Sequence, residues 1–419
     1  MVQKERKTGL RSKLKVLQLC KKFPFPLRDG ESIAIHNLST ALVAEGCEVS
    51  LLAMNTTKHF VDLRKIKDQC NHYHQIHTVD VDNRIKILGA FFNLFTTDSY
   101  HVSRFVSLVY EKKLSELLSH NHYDIILLET MYLTPYVMII KDLSNAKVVL
   151  RSHNIEHEIW KRVTSNTNSI LKRRYLSYLT RKLQNYELKH INDYDSIITV
   201  SDRDLEIFQN LGFDKSGLSI PIGLRLDEYS ISSCEKGNLK IRKVCFIGAM
   251  DWIPNREGLL WFLKKVWPDL ITIFPFLELN IAGRNTDKDL KNIDIPNCIH
   301  HGEVESAISF VSAHDIMIVP LLSGSGTRVK ILESLALGVP VISTSIGYEG
   351  IALTDGKEVL KADTKEEFIN AFTQIIENSV LRSALVENGR QHVDSYYNHV
   401  LSGKKLKKHF KEILSLTPS

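Results

Sequence analysis

The sequence has no long hydrophobic run of the kind that spans a membrane. No window of its 419 residues approaches 18 uninterrupted apolar residues, so we expect no membrane-spanning helix. The basic first 15 residues are followed by an apolar run that is typical of a buried strand, without a small-residue cleavage site. A secretory signal is therefore not expected.

The sequence also lacks any paired cysteine spacing. Its six cysteines are scattered, and several stand inside apolar runs, as buried free thiols do. This pattern argues against a disulfide framework and against a zinc site, and it favours a reducing, cytoplasmic compartment. We expect no metal and no resident cofactor.

Charge is present in modest excess, at a formal +6, and much of it lies near the two ends of the chain. Basic clusters of this kind are compatible with contact to anionic lipid or nucleic acid. The alternative is a solvated helix face, which we favour for the C-terminal cluster, whereas the two interpretations are even for the N-terminal one. We expect no nucleic-acid partner, and peripheral contact with the inner face of a membrane stays open.

The length and the residue pattern predict two α/β domains. A chain of 419 residues is too long for one ordinary α/β core. Short apolar runs alternate with amphipathic stretches, which is typical of parallel sheets with crossover helices. We place the first domain at residues 1–232 and the second at 233–394, with a helix at about 395–419 that returns to the first domain. The linker falls near Asp227–Asn238, where polar residues replace the periodic pattern.

The apolar runs predict nine strands and several helices between them. The predicted strands are Lys15–Cys20, Glu48–Met54, Asp124–Leu128, Lys147–Arg151, Ser196–Val200, Lys243–Ile247, Leu277–Ala282, Ile316–Pro320 and Val339–Ser343. The predicted helices are Ile33–Glu45, about Ile155–His190, Glu257–Lys265 and Arg328–Leu337.

The segment Ile316–Gly350 carries the strongest chemical signal. A buried strand runs into the small-residue loop 323–327 (Ser-Gly-Ser-Gly-Thr), and a helix follows at once. Small residues let the backbone approach a ligand, and the N–H groups of a helix start suit a phosphate. Arg328 and Lys330 add cationic donors, and Glu333 stands where its carboxylate could accept from two ribose hydroxyls. The alternative is a surface helix in which Lys330 and Glu333 form an i,i+3 ion pair.

This segment resembles the nucleotide-sugar site of retaining GT-B glycosyltransferases of family 4, the glycosyltransferase group 1 type. The matching residues are Pro320, the glycine loop 324–326, Glu333 and the run 336–341 (Ala-Leu-Gly-Val-Pro-Val). The loop form and the later 349–350 pair (Glu-Gly) are similar to a bacterial branch that works in surface-polysaccharide assembly. The resemblance runs from about residue 15 to residue 400. It implies an α/β GT-B fold, two Rossmann-like domains whose parallel sheets face a central cleft.

The resemblance assigns donor-site roles in the second domain. It implies that Glu333 binds the ribose and belongs to the catalytic set. The family's earlier glutamate falls at Ser325, a departure that leaves donor-sugar recognition to backbone and hydroxyl groups. Gly248 matches the glycine that ends the domain's first strand, and Ala249 replaces the arginine that usually follows. We infer that Arg328 and Lys330 carry the phosphate charge, with Ser325, Gly326 and Thr327 in the donor loop.

In the first domain the resemblance singles out His153, which follows a strand end, where doubly wound sheets place functional groups. His153 is expected to position the sugar or relay a proton, and not to act as nucleophile. The alternative is a capping or core histidine. Gly30 and Glu31 match a loop that faces the diphosphate and the acceptor, although relatives often carry a second glycine where Glu31 stands. The plain alternative for Gly30 is a turn glycine.

These expectations combine into one function with two rivals. We expect a retaining transfer of a sugar from a nucleoside-diphosphate sugar to a saccharide or lipid-linked acceptor, in polysaccharide or glycoconjugate synthesis. The first rival is a sugar-nucleotide epimerase or phosphorylase on the same architecture. The second is a catalytically silent binding module, which the departures at Ser325 and Ala249 would suit.

Overall fold

The structure is a computed structural model of the chain. It describes residues 13–27, 29–84, 93, 96, 99–165, 167, 169–229, 241–284, 295–324 and 328–416. The predicted linker after Tyr229 and the donor-loop residues Ser325, Gly326 and Thr327 lie outside these ranges.

The first half of the chain forms a sheet of seven parallel strands in the order β3-β2-β1-β4-β5-β6-β7. Its inner strands are buried along nearly their whole length because helices cover both faces, as parallel sheets require. The strands are β1 Lys15–Cys20, β2 Glu48–Thr56, β3 Ile76–Val81, β4 Ile125–Leu128, β5 Lys147–Ser152, β6 Ser196–Thr199 and β7 Ser216–Ser219.

Seven α-helices accompany this sheet within the described residues. They are α1 Gly30–Ala44, α2 Tyr100–Ser103, α3 Leu108–His120, α4 Val137–Leu143, α5 Glu156–Ser165, α6 Ile170–Lys189 and α7 Asp202–Asn210. The stretch predicted to be helical, about 155–190, is occupied by two helices, α5 and α6. Ser169 caps the second of them by accepting from the backbone N–H of Lys172.

The second half forms a sheet of six parallel strands in the order β10-β9-β8-β11-β12-β13. The strands are β8 Lys243–Ile247, β9 Glu278–Ala282, β10 Cys298–Gly302, β11 Ile316–Val319, β12 Val341–Ser343 and β13 Leu360–Lys361. The helices are α8 Ile253–Trp261, α9 Trp267–Ile273, α10 Ala307–Ser312, α11 Val329–Ala336, α12 Lys365–Glu377 and α13 Ser379–Tyr396, with a π-helical turn at Phe262–Val266.

The last helix, α14 His399–Ser415, packs against α1 of the first half. Gly403 permits the close approach, since a Cβ there would lie 2.8 Å from the Cβ of Ala41. Lys407 donates to the backbone carbonyl of Glu45, just beyond the end of α1. The chain therefore returns to the first sheet's helical layer after it has completed the second sheet.

The strand order of each sheet fixes where a ligand can bind. In the first sheet β1 lies between β2 and β4, and in the second β8 lies between β9 and β11. Connections from such neighbouring strands leave in opposite directions, which opens a crevice outside their carboxyl ends. The residues that follow β1, β4, β5, β8 and β11 are therefore the first to inspect. None of the described helices has the length and hydropathy needed to cross a bilayer.

Candidate functional site

The first half contributes a pocket at the carboxyl ends of its central strands, with about 310 Å³ of empty space. Residues that follow β1, β4 and β5 line it together with the first turn of α1. The lining residues are Lys21, Glu31, Glu129, Thr130, Met131, Ser152, His153, Asn154 and Glu156. The structure thus brings together His153 and Glu31, which lie in separate motifs of the sequence.

His153 is held by a carboxylate that the sequence analysis missed. Its Nε2 lies 3.0 Å from Oε2 of Glu129, which is fully buried. Glu129 also accepts from Arg151 Nη1 at 3.2 Å and from Gln18 Nε2 at 2.5 Å. Burial disfavours the charged form of Glu129, but Arg151 and His153 outweigh it, and the pKa lies below its usual value. The buried Nδ1 of His153 has no hydrogen-bond partner among the described residues.

Glu31, in the first turn of α1, is neutralised by two lysines. Its carboxylate lies 3.3 Å from Nζ of Lys21 and 3.4 Å from Nζ of Lys22. Burial opposes ionisation of Glu31, but the two ammonium groups dominate and lower its pKa to about 2. The negative charge is therefore balanced locally, so it does not exclude a phosphate nearby.

Glu156, at the start of α5, is a third acid in the same pocket. Its Oε2 accepts from the hydroxyl of Tyr132 at 2.8 Å. Burial raises the pKa of Glu156, and the nearby carboxylates of Glu187 and Glu31 act in the same direction. The pocket thus combines two acids that stay ionised, Glu31 and Glu129, with one that takes up a proton more readily.

The second half contributes a half-buried ammonium group at the end of β8. Nζ of Lys330, on α11, donates to the carbonyl of Ile247 at 2.9 Å and to Oδ1 of Asn255 at 3.1 Å. Both acceptors are neutral. Burial lowers the pKa of Lys330 to about 7, and the charge of Arg328 adds to this effect. Gly248 is required here, because a Cβ would lie 2.7 Å from Nδ2 of Asn255.

Glu333 lies one turn further along α11 and has a different partner. Its Oε1 accepts from the hydroxyl of Tyr229 at 3.0 Å. Burial raises the pKa of Glu333, the repulsion of Glu228 adds to this effect, and the Tyr229 hydrogen bond opposes it. Most of α11 is buried, so the surface-helix alternative, with Lys330 and Glu333 paired, does not describe this element.

Arg328 stands at the N-terminal boundary of α11. Its Nη2 lies 3.5 Å from the carbonyl of Ile346. Burial lowers the pKa of Arg328 to about 10, with Glu349 opposing and Arg162 reinforcing the shift. Arg328 and Lys330 therefore lie together at the start of one helix, as the sequence predicted, whereas Ser325, Gly326 and Thr327 lie outside the described residues.

The site residues of the first half lie against those of the second half. A Cβ on Gly30 would lie 3.2 Å from Cγ2 of Val329, so the starts of α1 and α11 are in close contact. Arg162 of α5 reaches from the first half to Glu349 and to the carbonyl of Gly324 in the second. Residues from both halves therefore form one site.

Sequence reasoning missed three residues of this site. Glu129 directly follows β4, and the rule that functional groups follow strand ends could have found it. Tyr229 and Arg162 carry no such signal, because their partners lie 104 and 187 residues away along the chain. Among the described residues, no group of three His, Cys, Asp or Glu side chains is arranged to hold a metal.

Two family models match the chain. Residues 29–220 match "Glycosyltransferase Family 4", and residues 241–378 match "Glycosyl transferases group 1". Together the matched residues include most of each half's central strands and site residues from both halves.

Among similar proteins is an uncharacterized 44.6 kDa protein of the cps region of Klebsiella pneumoniae, 27% identical over 61% of this chain. Another is a phosphatidyl-myo-inositol mannosyltransferase of Mycobacterium leprae, 25% identical over 44% of this chain. The matches span 66% and 50% of these relatives' own lengths.

Among solved structures, HepE of Anabaena in complex with UDP and glucose matches with a TM-score of 0.64 at 13% identity. The match covers 95% of this chain and 100% of HepE. At that identity the likeness establishes the fold, which is GT-B: two Rossmann-like domains with parallel sheets on either side of a cleft. From the two matched domains and this fold, the chain belongs to the GT-B glycosyltransferases of family 4 and group 1 type.

Proposed function

We propose that the chain is a retaining glycosyltransferase that moves a sugar from a nucleoside-diphosphate sugar to a saccharide or lipid-linked acceptor. The observation that carries this proposal is the half-buried ammonium group of Lys330, whose hydrogen bonds within the described part of the chain go to neutral oxygens. Withdrawal of a cation from water, even in part, is unfavourable when no counter-ion replaces the water. A diphosphate bound between Gly248 and the start of α11 would supply the missing negative charge.

The donor would extend from this point along α11. The N-terminal N–H groups of the helix and Arg328 add to the attraction of a diphosphate. Glu333, one turn further in, would accept from the ribose hydroxyls, with Tyr229 fixing its orientation. Anabaena HepE was solved with UDP and glucose bound, which makes UDP-glucose the first donor to test here.

In the transfer, the bond between the anomeric carbon and the diphosphate breaks, and a hydroxyl of the acceptor bonds to the same face of the sugar. Positive charge develops on the sugar and negative charge on the leaving diphosphate, which Lys330 and Arg328 would stabilise. His153, held by Glu129, would position the sugar or relay the acceptor's proton. Retention rests on the resemblance to family 4 and group 1 enzymes.

We also propose that the acceptor side works at a membrane surface, on its cytoplasmic face. The start of α6 exposes Ile170 and Leu171, whose exposed fractions are 62% and 80%. Three exposed basic residues, 172–174 (Lys-Arg-Arg), follow directly. An apolar pair beside a basic run suits a bilayer with anionic headgroups. The name of the Mycobacterium leprae relative gives a lipid as the molecule that it mannosylates, which agrees with a lipid-linked acceptor.

The test uses the purified full chain and a panel of UDP-, GDP- and ADP-sugars. We expect at least one to raise the melting temperature by mass action and to be slowly hydrolysed, releasing its nucleotide. Glu333→Ala should reduce the protection, whereas His153→Ala should keep the protection and lose the hydrolysis. Lys404→Ala, an exposed change on α14, is the control. Failure of every donor to protect the chain would overturn the proposal.

The silent binding module is the second candidate. Two departures from the family pattern favour it, namely Ser325 in place of an acid and Ala249 in place of an arginine. Protection by a donor without any release of nucleotide, even with lipid-linked acceptor extracts present, would select this alternative.

A further inference from the structure

Arg162, on α5 of the first domain, contacts the donor loop of the second domain. Its Nη1 lies 2.9 Å from Oε2 of Glu349, and its Nη2 lies 3.3 Å from Oε1. This is the two-bond geometry that guanidinium groups form with carboxylates and phosphates. Nη1 also donates to the carbonyl of Gly324, which belongs to the glycine loop before α11.

The charges around this contact are unequal. Glu349 is one carboxylate that faces three guanidinium groups, those of Arg162, Arg203 and Arg328. Burial raises the pKa of Glu349, but these cations outweigh it and hold the pKa below its usual value. Arg203 also pairs with Glu158 and with its neighbour Asp204. Arg162 is therefore one of several cations that share the carboxylate of Glu349.

The contact is also accessible. The side chains of Arg162 and Glu349 are each 34% exposed, so a small anion can reach them and the arginine can change partner without unfolding its surroundings. A single ion pair of this exposure is weakly held, since water screens it. A diphosphate carries more negative charge than Glu349 and offers several acceptor oxygens.

We propose that Arg162 is a donor-binding residue. When the nucleotide sugar binds, the guanidinium group of Arg162 gives up its ion pair with Glu349 and contacts the diphosphate. This inference rests on the proposed function, since it assumes that a nucleoside diphosphate binds beside Gly324 and α11. It explains how the site tolerates Ala249, because the cation absent after Gly248 is supplied from the other domain. It also means that both domains contact the donor at once, so that donor binding and the contact between the two domains are coupled.

The test compares two substitutions that break the same ion pair from opposite ends. The wild-type chain is first screened with UDP, GDP and ADP, and the one that protects most is used with its matching nucleoside. Arg162→Met should weaken binding of the diphosphate by about tenfold or more, because hydrogen bonds to charged groups are worth that much. It should leave binding of the nucleoside unchanged. Glu349→Gln should tighten binding of the diphosphate, because it removes the competing carboxylate.

Two further variants complete the set. Lys161→Met removes a positive charge from the neighbouring exposed position on α5 and should leave binding unchanged. Arg162→Lys keeps the charge but loses the two-bond geometry, so its affinity should fall between those of wild type and Arg162→Met.

Each outcome decides a different point. Equal losses in Arg162→Met and Glu349→Gln would show that the pair only ties the domains together, and this would overturn the inference. Unchanged diphosphate binding in Arg162→Met would do the same. If none of the three diphosphates protects the wild-type chain, the proposed function itself fails, and the variants need not be made.

Discussion

At the scale of single residues, the site is distinguished by charged groups whose environments oppose their charge. Lys330 has a pKa of about 7 because it is buried beside Arg328. Glu333 has a raised pKa because it is buried, and the repulsion of Glu228 adds to the effect. Perturbed groups of this kind cluster at functional sites more often than elsewhere. Each one predicts a measurable dependence on ligand or pH.

Lys330 predicts that donor binding takes up a proton. Above pH 7 its amine is mostly neutral in the free protein, and a bound diphosphate stabilises the ammonium form. The affinity should therefore fall as the pH rises above about 7, by up to about tenfold per pH unit. Titration calorimetry with a nucleoside diphosphate between pH 7 and about pH 9 measures this.

Lys330→Met is the matched variant for that experiment. It should bind more weakly than wild type at the lower end of this pH range, and its affinity should stay constant across the range. A slope in the variant as steep as in the wild type would assign the titration to another group.

The proposed role of Glu333 predicts that its removal lowers the binding affinity only for ligands that carry the ribose hydroxyls. Glu333→Ala should weaken nucleoside-diphosphate binding by about tenfold or more, because hydrogen bonds to a charged group contribute ~1.5–3 kcal/mol. The same variant should bind a 2′,3′-dideoxy analogue as well as the wild type does. Tyr229→Phe keeps the carboxylate and should lose less. If the variant loses affinity equally for both ligands, Glu333 does not bind the ribose.

Glu129 predicts a change in stability as well as in activity. It is fully buried and pairs with Arg151, which is 1% exposed. Removal of one partner from a buried pair costs about 3–5 kcal/mol, because the other charge is left uncompensated. Glu129→Gln should therefore lower the free energy of unfolding by about 3 kcal/mol, measured by urea denaturation. His153→Ala should lower it much less, and equal losses would contradict the assignment.

At the scale of elements, the predicted strands were the central ones. The sequence predicted β1 and β8 with the bounds that the structure gives them, and it predicted seven other strands to within a few residues. Such strands are covered on both faces, so nearly every residue is apolar and the run is visible in the sequence. β4, for example, reads Ile-Ile-Leu-Leu and is buried throughout.

The four strands that the sequence analysis missed are the edges of the two sheets, β3, β7, β10 and β13. They are only partly buried: β7 has four half-buried residues, and β10 alternates half-buried with exposed ones. Their composition is accordingly polar, as in the Cys-Ile-His-His-Gly run of β10. These strands form because a neighbouring strand pairs with them. The local sequence pattern does not show that pairing.

The packing of α14 on α1 provides a test at this scale. Gly403→Leu should favour the helix locally, since leucine is a better helix former than glycine. A Cβ at this position would nevertheless lie 2.8 Å from the carbonyl oxygen of Ala41, so the two helices must move apart. We expect a net loss of about 1–3 kcal/mol in the free energy of unfolding. Lys404→Ala, exposed on the same helix, should change it by less than about 0.5 kcal/mol.

At the scale of the whole molecule, the site is formed by contacts that no local stretch of sequence can report. The motif around Glu333 and the residue His153 were visible because each stands in a recognisable segment. Glu129 follows a strand end, a signal that the sequence analysis did not use, whereas Tyr229 carries no such signal, because its choice among many polar residues depends on the folded arrangement. Sequence therefore predicted one member of each pair, and the structure supplied the other.

The last prediction concerns how the whole molecule meets a membrane. Each basic side chain near an anionic surface contributes about 1 kcal/mol, and the exposed Leu171 adds apolar area. Wild type should sediment with vesicles that contain phosphatidylglycerol and not with pure phosphatidylcholine. Leu171→Glu should reduce this binding by about tenfold, since it removes the apolar contact and adds repulsion. Val380→Glu, similarly exposed but on the second domain, should bind as wild type does. Binding that is unaffected by Leu171→Glu would place the contact elsewhere, and absence of vesicle binding would leave a saccharide free in solution as the acceptor class.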